Sequence, residues 1–210
     1  MSFSRPASFS FIGSTRPMGP GDFIWLAALG CASRGPTTAD AVCACIDHVA
    51  AGQWAPSAQL VCDCLDEMAR ARHLSYAHDG RYGLFSSTTQ GFGILRMMLS
   101  LPIERPTTPL GQVGLRLKLA FLDLAQPEDR LQHLQDLIVA HREELARRPA
   151  PCESCQSPGC FGRMWGEHHT QSLRRDLELL ERMRAMPQTQ LTTRREGCSQ
   201  DGLHINCILN

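Results

Sequence analysis

Hydrophobic residues recur at helical spacing in the first half of the chain and predict three helices there. The first covers Phe23–Ala32, with Asp22 as its expected N-cap and a Gly-Pro pair at its end. The second, capped by Thr37 or Thr38, has apolar side chains at i, i+3, i+4 and i+7, the buried stripe of an amphipathic helix. The third begins at Ser57 and repeats this stripe.

After the third helix the spacing of apolar residues is no longer helical. Two short runs follow in which apolar and polar residues alternate. These runs, His73–His78 and Arg81–Phe85, flank Asp79-Gly80, a pair typical of a β-hairpin turn. Thr88 is the expected cap of a fourth helix that ends before Pro102. Three helices followed by a two-stranded hairpin is the element order of a winged helix-turn-helix, in which the hairpin is the wing.

The second half of the chain is predicted to be helical. Pro127 followed by two acidic residues is typical of a helix start, and a stripe from Leu131 to Leu145 follows it. A last helix has Leu173, Leu177 and Leu180 on one face. Two amphipathic helices need a partner surface, which a second copy of the chain can supply.

We therefore predict a mainly α protein, a winged helix-turn-helix of three helices plus a β-hairpin wing followed by a helical dimerisation region. The predicted parts are a flexible leader over 1–20, the winged-helix domain over 21–105, the dimerisation domain over 106–187 with a Cys-rich loop over 150–162, and a polar tail over 188–210.

Composition and motif content limit where in the cell the protein is expected and which activities it is expected to have. The chain has 210 residues, 21 acidic and 21 basic side chains, and ten cysteines. No apolar run reaches the roughly 18 residues of a membrane span, and the N-terminal segment lacks the hydrophobic core of a secretory signal. We expect a cytoplasmic protein whose cysteines are thiols or metal ligands before they are disulfides. Because no phosphate-binding loop, zinc-hydrolase or serine-hydrolase motif is present, we do not expect an enzyme.

Short motifs near the predicted helix ends resemble those of a known family. They are Leu26-Ala27-Ala28-Leu29 with Arg34-Gly35-Pro36, Trp54-Ala55-Pro56-Ser57, Leu65-Asp66-Glu67-Met68, and Ser87-Thr88-Thr89-Gln90-Gly91. In this order, over about residues 22–186, the chain resembles the PadR-like transcriptional regulators. The resemblance implies a dimeric DNA-binding regulator, with repression as the expected role, that responds to a small-molecule, metal or redox signal.

The resemblance also places particular side chains on double-stranded DNA. The third helix would enter the major groove, and the hairpin would lie along a phosphate backbone. The residues placed to contact DNA are Thr38, Ser57, Gln59, Cys62, His78 and Arg81. Glutamine can pair with adenine through two hydrogen bonds, hydroxyls bind phosphate, and an arginine can clamp one.

Two departures from the family pattern concern charge on the third helix. Cys62 stands where the family usually has tyrosine, and Asp66-Glu67 stand where it has basic residues. Residues 21–105 hold eight acidic side chains against six arginines, a net charge of −2. Because basic contacts to phosphate supply much of the affinity for DNA, the alternative is a winged-helix adaptor that binds a protein partner and no longer binds DNA.

The cysteines divide into two groups. Cys45 and Cys64 fall on the predicted buried stripes, and Cys31 is expected in ordinary core. In the loop, Cys152, Cys155 and Cys160 lie within nine residues, and His168 follows. Thiolates at this spacing with a histidine suit zinc or an iron–sulfur cluster. The fourth ligand stays open between His168, His169, Cys198, Cys207 and another subunit, and an inert loop is the alternative to a metal site.

Overall fold

The computed structural model describes residues 16–79, 82–147 and 159–186. Within these residues the chain forms seven α-helices and one antiparallel two-stranded sheet. In chain order the elements are α1 Pro20–Arg34, α2 Ala39–Ala50, α3 Ala58–Arg70, β1 Leu74–Asp79, β2 Tyr82–Ser87, α4 Thr89–Ser100, α5 Pro109–Phe121, α6 Pro127–Ala146 and α7 Cys160–Ala185. The predicted winged helix-turn-helix and the helical second half are confirmed.

Helix α1 lies at the centre of the first half and is buried on nearly all sides. Every residue over 22–30 is buried, and the helix packs against α2, α3, α4, α5 and β2. A helix with apolar side chains on all sides is expected in this central position, because none of its faces is suited to contact with solvent.

The start of α1 differs from the prediction in two ways. Gly19, not Asp22, is the N-cap, and the Asp22 carboxylate at the third helical position accepts a hydrogen bond of 2.8 Å from the Gly19 N–H. Asp22 also pairs with Arg16 at 2.6 Å. Met18 is buried and its N–H donates to the Pro102 carbonyl, so the predicted leader does not extend to residue 20.

Helices α2 and α3 have the caps and the buried faces that their sequences predict. The Thr38 hydroxyl accepts from the Ala41 N–H, and the Ser57 hydroxyl accepts from the Leu60 N–H. The residues buried on the two helices are Val42, Ile46, Ala50, Val61, Cys64, Leu65 and Met68. Local capping and apolar spacing therefore suffice to set both helices.

The wing is anchored at its base by backbone and side-chain hydrogen bonds. Thr37, in the α1–α2 connection, exchanges two backbone hydrogen bonds with Phe85 of β2. Thr88 caps α4 as predicted, and its hydroxyl lies 2.7 Å from the carbonyl oxygen of Arg72. Asp79, predicted in the turn, is instead the last residue of β1 and pairs with Tyr82.

Helix α5 packs on the core of the first half, although it lies in the predicted dimerisation domain over 106–187. It packs on α1 and α2, and the Phe121 ring lies directly against Gly30 of α1. Lys118, the single lysine of the chain, is 5% exposed, and its ammonium donates to the carbonyl oxygens of Leu99 and Leu101 at the end of α4. Burial lowers the pKa of Lys118 to about 8. The sequence pattern did not indicate this docking of α5, because it is a long-range contact.

Helices α6 and α7 pack on each other and carry the predicted apolar faces. The buried residues of this pair are Leu134, Leu137, Ile138, Leu173 and Leu180. Leu131, predicted in the stripe, is 37% exposed, because it lies one turn before the buried part of α6.

Candidate nucleic-acid interface

Helix α3 presents one polar face to solvent. Gln59, Cys62, Asp63, Asp66 and Arg70 are exposed and follow spacings of three and four residues, which places them on the same side of the helix. The opposite side holds the helix to the core. The structure therefore fixes which side chains α3 can offer to a partner.

A hydrogen bond within α3 fixes the orientation of its first exposed residues. The Gln59 side-chain amide donates to the Asp63 carboxylate at 2.8 Å. The amide that would pair with a base is thus held by a neighbouring acid in this conformation. Binding a base through Gln59 requires this bond to be exchanged for one to the base.

The two predicted hydroxyl contacts, Thr38 and Ser57, both lie at helix N-termini. Each oxygen accepts a backbone N–H of its own helix, while its hydroxyl hydrogen can be donated to an acceptor outside. Exposed N–H groups and the positive end of the helix dipole favour a phosphate at such a position. The geometry suits both residues to phosphate contacts.

A groove of about 750 Å³ lies between the start of α2, α3 and the wing. Its lining residues are Thr38, Ala39, Asp40, Cys62, Asp66, Ala69, Arg70, Tyr76, Gly83 and Phe85. The apolar part is formed by Tyr76, whose ring centroid is 5.2 Å from that of Phe85. The groove joins two of the predicted contacts, Thr38 and Cys62, to residues that the sequence did not single out.

Tyr76 and Arg70 are the residues of this surface that the sequence analysis missed. Tyr76 is 56% exposed on β1, and its hydroxyl lies 3.4 Å from the His78 ring nitrogen. Arg70 ends α3 on the exposed face, and Arg72 is exposed just beyond it. Counting along α3 from Cys62 to Arg70 at helical spacing could have identified Arg70, whereas Tyr76 depends on the pairing of the strands.

The predicted wing-tip pair is described only in part. His78 is exposed on β1 at the end of the hairpin, whereas Arg81 lies outside the described residues. Acidic residues Asp40, Asp63 and Asp66 and basic residues Arg70 and Arg72 thus share the described part of this surface. Charge alone does not make it a strong phosphate-binding surface.

Only two of the four predicted metal ligands, Cys160 and His168, lie in the described part of the chain. Cys152 and Cys155 lie outside the described residues, while Cys160 is the first residue of α7 and His168 lies in the same helix. Eight residues of helix separate their backbones by about 12 Å, too far for one tetrahedral ion. The structure therefore does not bring Cys160 and His168 of one chain together, and the metal site itself stays a prediction. Among the residues that the structure describes, no cluster of three or more Cys, His, Asp or Glu side chains could hold a metal.

The first part of α7 is exposed on every side up to His169. Phe161 is 87% exposed and Trp165 is 65% exposed, with Met164 beside them at helical spacing. The Trp165 ring stacks on His168 at 5.5 Å between centroids. This apolar face has no partner within the described part of the chain.

A second concave surface lies between the two halves of the chain. It has a volume of about 490 Å³, and its polar lining includes Gln53, Gln112, Arg116, His169 and Asp176. The Arg116 guanidinium also donates to the Ala50 carbonyl oxygen at the end of α2. A molecule in this cleft would contact both the winged helix and α7.

In the stretches 16–79, 82–147 and 159–186, no helix has the length and hydropathy needed to cross a membrane.

Comparisons with known proteins found similar solved structures only. No protein-family model and no curated protein matches the chain. The Bacillus subtilis PadR structure with operator DNA is 14% identical, covering 78% of this chain and 98% of that one with a TM-score of 0.37. The structure of the same protein with p-coumaric acid is 15% identical, covering 80% of this chain and 97% of that one with a TM-score of 0.36. These solved structures come from the family that the sequence motifs resemble.

Proposed function

We propose that the protein is a dimeric DNA-binding transcriptional regulator. The observation that carries this proposal is the exposed face of α3 beside the wing. Ser57 is the N-cap of this helix, and Gln59 lies in its first turn. A helix of this kind, offered from a winged-helix core, has the dimensions to enter a major groove. A protein that occupies its operator blocks transcription there, so we propose repression as its role.

The acids on α3 are compatible with base recognition. A carboxylate can accept a hydrogen bond from the amino group of cytosine, and it repels a wrongly placed phosphate. Asp63 and Asp66 would then contribute to sequence selectivity. Affinity would come from hydroxyls at the helix starts, from Arg70 and Arg72, and from Arg81 of the wing.

The proposed dimer uses the exposed first part of α7. An unsupported helical segment of about ten residues is only marginally stable in water, and it gains stability when its apolar face is covered. Phe161, Met164 and Trp165 form such a face. A second copy of the chain would cover it and would place two copies of α3 on one DNA duplex, as two half-sites require.

The proposed signal is either a small molecule or a change at the Cys-rich segment. The cleft lined by Arg116 and Asp176 joins the two halves, so a bound molecule could change the angle between the winged helices of a dimer. Three thiolates from Cys152, Cys155 and Cys160 are chemically suited to zinc or an iron–sulfur cluster. Elemental analysis of the protein and of a Cys152→Ser, Cys155→Ser variant tests the metal; an equal and negligible metal content in both would remove it.

The DNA-binding proposal is tested by titrating fluorescent duplexes with purified protein at low salt. The duplexes are the region upstream of its own coding sequence and a site selected from a random library. Gln59→Ala is expected to weaken binding to the selected site at least tenfold. Gln132→Ala is the matched control, because Gln132 makes the same 2.8 Å bond to an acid four residues on, in α6. If neither the reduced nor the oxidised protein binds any of the duplexes, the proposal is overturned.

A second candidate, a winged-helix adaptor, is favoured by the acidic groove. Asp40 and Asp66 lie at its edge beside the exposed Tyr76 ring, an arrangement that suits a basic protein segment. Replacing Asp63 and Asp66 by asparagine separates the two functions. A DNA-binding protein would keep its affinity for duplexes of unrelated sequence or gain some and would lose selectivity for its selected site, whereas an adaptor would lose its protein partner and still fail to bind DNA.

A further inference from the structure

Two opposite charges line the cleft between the two halves of the chain without forming an ion pair with each other. Arg116 of α5 and Asp176 of α7 both contribute to its lining and are half-buried there. Within the described residues the Arg116 guanidinium bonds only to the Ala50 carbonyl oxygen, at 3.3 Å. Asp176 forms no hydrogen bond or ion pair with any residue over 16–79, 82–147 and 159–186. The cleft therefore offers one cationic and one anionic group to a molecule that enters it.

The two charges come from two different helices, with apolar residues between them in the lining. Gln112 and Arg116 lie one turn apart on α5, and Leu173 and Asp176 lie one turn apart on α7. Leu173 and Pro106 contribute to the apolar part of the lining. The volume of about 490 Å³ falls within the range of about 300–1,000 Å³ that is usual for small-molecule sites.

The chemistry of this lining favours a zwitterion over a simple acid or a simple amine. A guanidinium binds a carboxylate through two parallel hydrogen bonds, and a carboxylate binds an ammonium group. An acid would satisfy Arg116 but would bring a second negative charge toward Asp176, and an amine would be repelled by Arg116. A molecule with both charges satisfies both helices, and an apolar group on it can lie against Leu173.

We propose that this cleft binds an amino acid or a short peptide that has an apolar side chain. Its carboxylate lies on Arg116, its ammonium group on Asp176 and its side chain on Leu173. The inference rests on the proposed function, since it names the class of small molecule that would act at the cleft. Because the bound zwitterion joins α5 to α7, it favours one arrangement of the winged helix relative to α7.

The test is isothermal titration calorimetry of the purified full chain, without DNA, against four probes that share a phenyl group. Two are zwitterions, phenylalanine and the dipeptide alanylphenylalanine. The others are hydrocinnamate, which lacks the ammonium group, and phenethylamine, which lacks the carboxylate. At least one zwitterion should bind at least tenfold more tightly than either singly charged probe, because each of those lacks one charge-assisted contact. The tighter of the two zwitterions distinguishes a free amino acid from a peptide as the ligand.

Two variants assign the two charges. Arg116→Gln should remove the preference for the zwitterion over phenethylamine, and Asp176→Asn should remove its preference over hydrocinnamate. A variant that fails to fold would instead lose all the probes alike, and the titration of the parent protein then decides. Glu178→Gln is the control, because Glu178 is exposed two residues beyond Asp176 on the opposite side of α7 and should not affect any of the affinities.

Three results would overturn the proposal. The first is that neither zwitterion binds at millimolar concentration, and the second is that a singly charged probe binds as tightly as the better zwitterion. The third is that both folded variants keep the parental preferences, since the zwitterion would then bind elsewhere. Titration with duplexes is a separate measurement, so a protein that binds the zwitterion and no DNA would overturn the proposed function and leave this site intact.

Discussion

Arg105 and Glu144 form a bidentate ion pair that joins the α4–α5 connection to the end of α6. The two guanidinium nitrogens lie 2.7 and 2.9 Å from the two carboxylate oxygens, and Glu144 is 2% exposed. Thr107 donates a further hydrogen bond of 2.8 Å. The pair connects the core built around α1 to the α6–α7 pair, and the bonds from Arg105 lower the pKa of Glu144 to about 2.

Replacing Glu144 by glutamine should lower the free energy of unfolding by about 2 kcal/mol, because the charge-assisted bonds to Arg105 weaken around a buried group. Urea unfolding at neutral pH measures the effect. The control is Glu143→Gln, which removes an exposed ion pair with Arg147 and should lower the free energy of unfolding by at most about 0.5 kcal/mol.

In the parent protein the contribution of Glu144 to stability is present above its unfolded pKa near 4.5 and is lost as pH falls toward 2. Equal losses in the two variants would show that the pair does not act as described.

His141 should make stability fall at mildly acidic pH. It is fully buried, its Nδ1–H donates to the Leu137 carbonyl oxygen at 2.7 Å, and burial lowers its pKa below 6.5. The unfolded chain therefore takes up the proton first, and stability is lost as pH falls through 6.5 toward the folded pKa.

The measurement for His141 is the change in unfolding free energy between pH 7.5 and pH 5.5. In His141→Leu this loss should shrink by about 1 kcal/mol relative to the parent protein. His48, exposed on α2, provides the control variant His48→Leu, in which the loss should be unchanged. A His141→Leu protein with the full parental loss would exclude His141 as its cause.

Gly30→Ala should destabilise the protein by about 2 kcal/mol, since a Cβ there would lie 2.3 Å from the Phe121 ring. The ring is held between α1 and α5 and has little room to move. Gly93→Ala, at an exposed position of α4 with open space around its Cβ, should instead stabilise by about 0.5–1 kcal/mol. Thermal unfolding of both variants compares them directly, and a destabilised Gly93→Ala would contradict this explanation.

DNA binding by a dimer should have a modest salt dependence. If Arg70, Arg72 and Arg81 of each protomer each neutralise one phosphate, the slope of log affinity against log salt is about −5. Arg70→Ala should reduce its magnitude by about 2 and weaken binding to all sequences alike. Arg142→Ala, which removes an arginine paired with Glu181 on the α6–α7 pair, should leave the slope unchanged.

The exposed apolar face of α7 should be needed for two copies of the chain to form a dimer. Trp165→Glu is expected to convert a dimer into a monomer at micromolar concentration, because it places a charge in the centre of the apolar face. Sedimentation measures the mass. Leu131→Glu changes another exposed apolar residue on α6 and should leave the mass unaltered. A monomeric parent protein, or a dimeric Trp165→Glu, would remove α7 as the interface.

Local patterns predicted the elements well, and long-range contacts account for most of the errors. Thr38, Ser57 and Thr88 were recognisable as caps because a cap depends on the three residues that follow it. The position of Asp22 was misassigned because a carboxylate can act from the N-cap or from the third helical position, and only the backbone decides.

The docking of α5 on α1 and α2 depends on how whole helices pack. Spacing along one helix carries no information about such contacts. For the same reason the sequence predicted Gln59 on α3 and missed Tyr76, which reaches the groove only through the pairing of β1 with β2.

The burial of Lys118 has a consequence for the chemistry of the protein surface. Every other basic side chain is an arginine, so acetylation and other amine-directed modifications cannot neutralise the cations outside the core. Reagents that acylate amines would find the Lys118 side chain only when α4 and α5 separate. The guanidinium groups outside the core keep their positive charge when lysine-modifying enzymes are active.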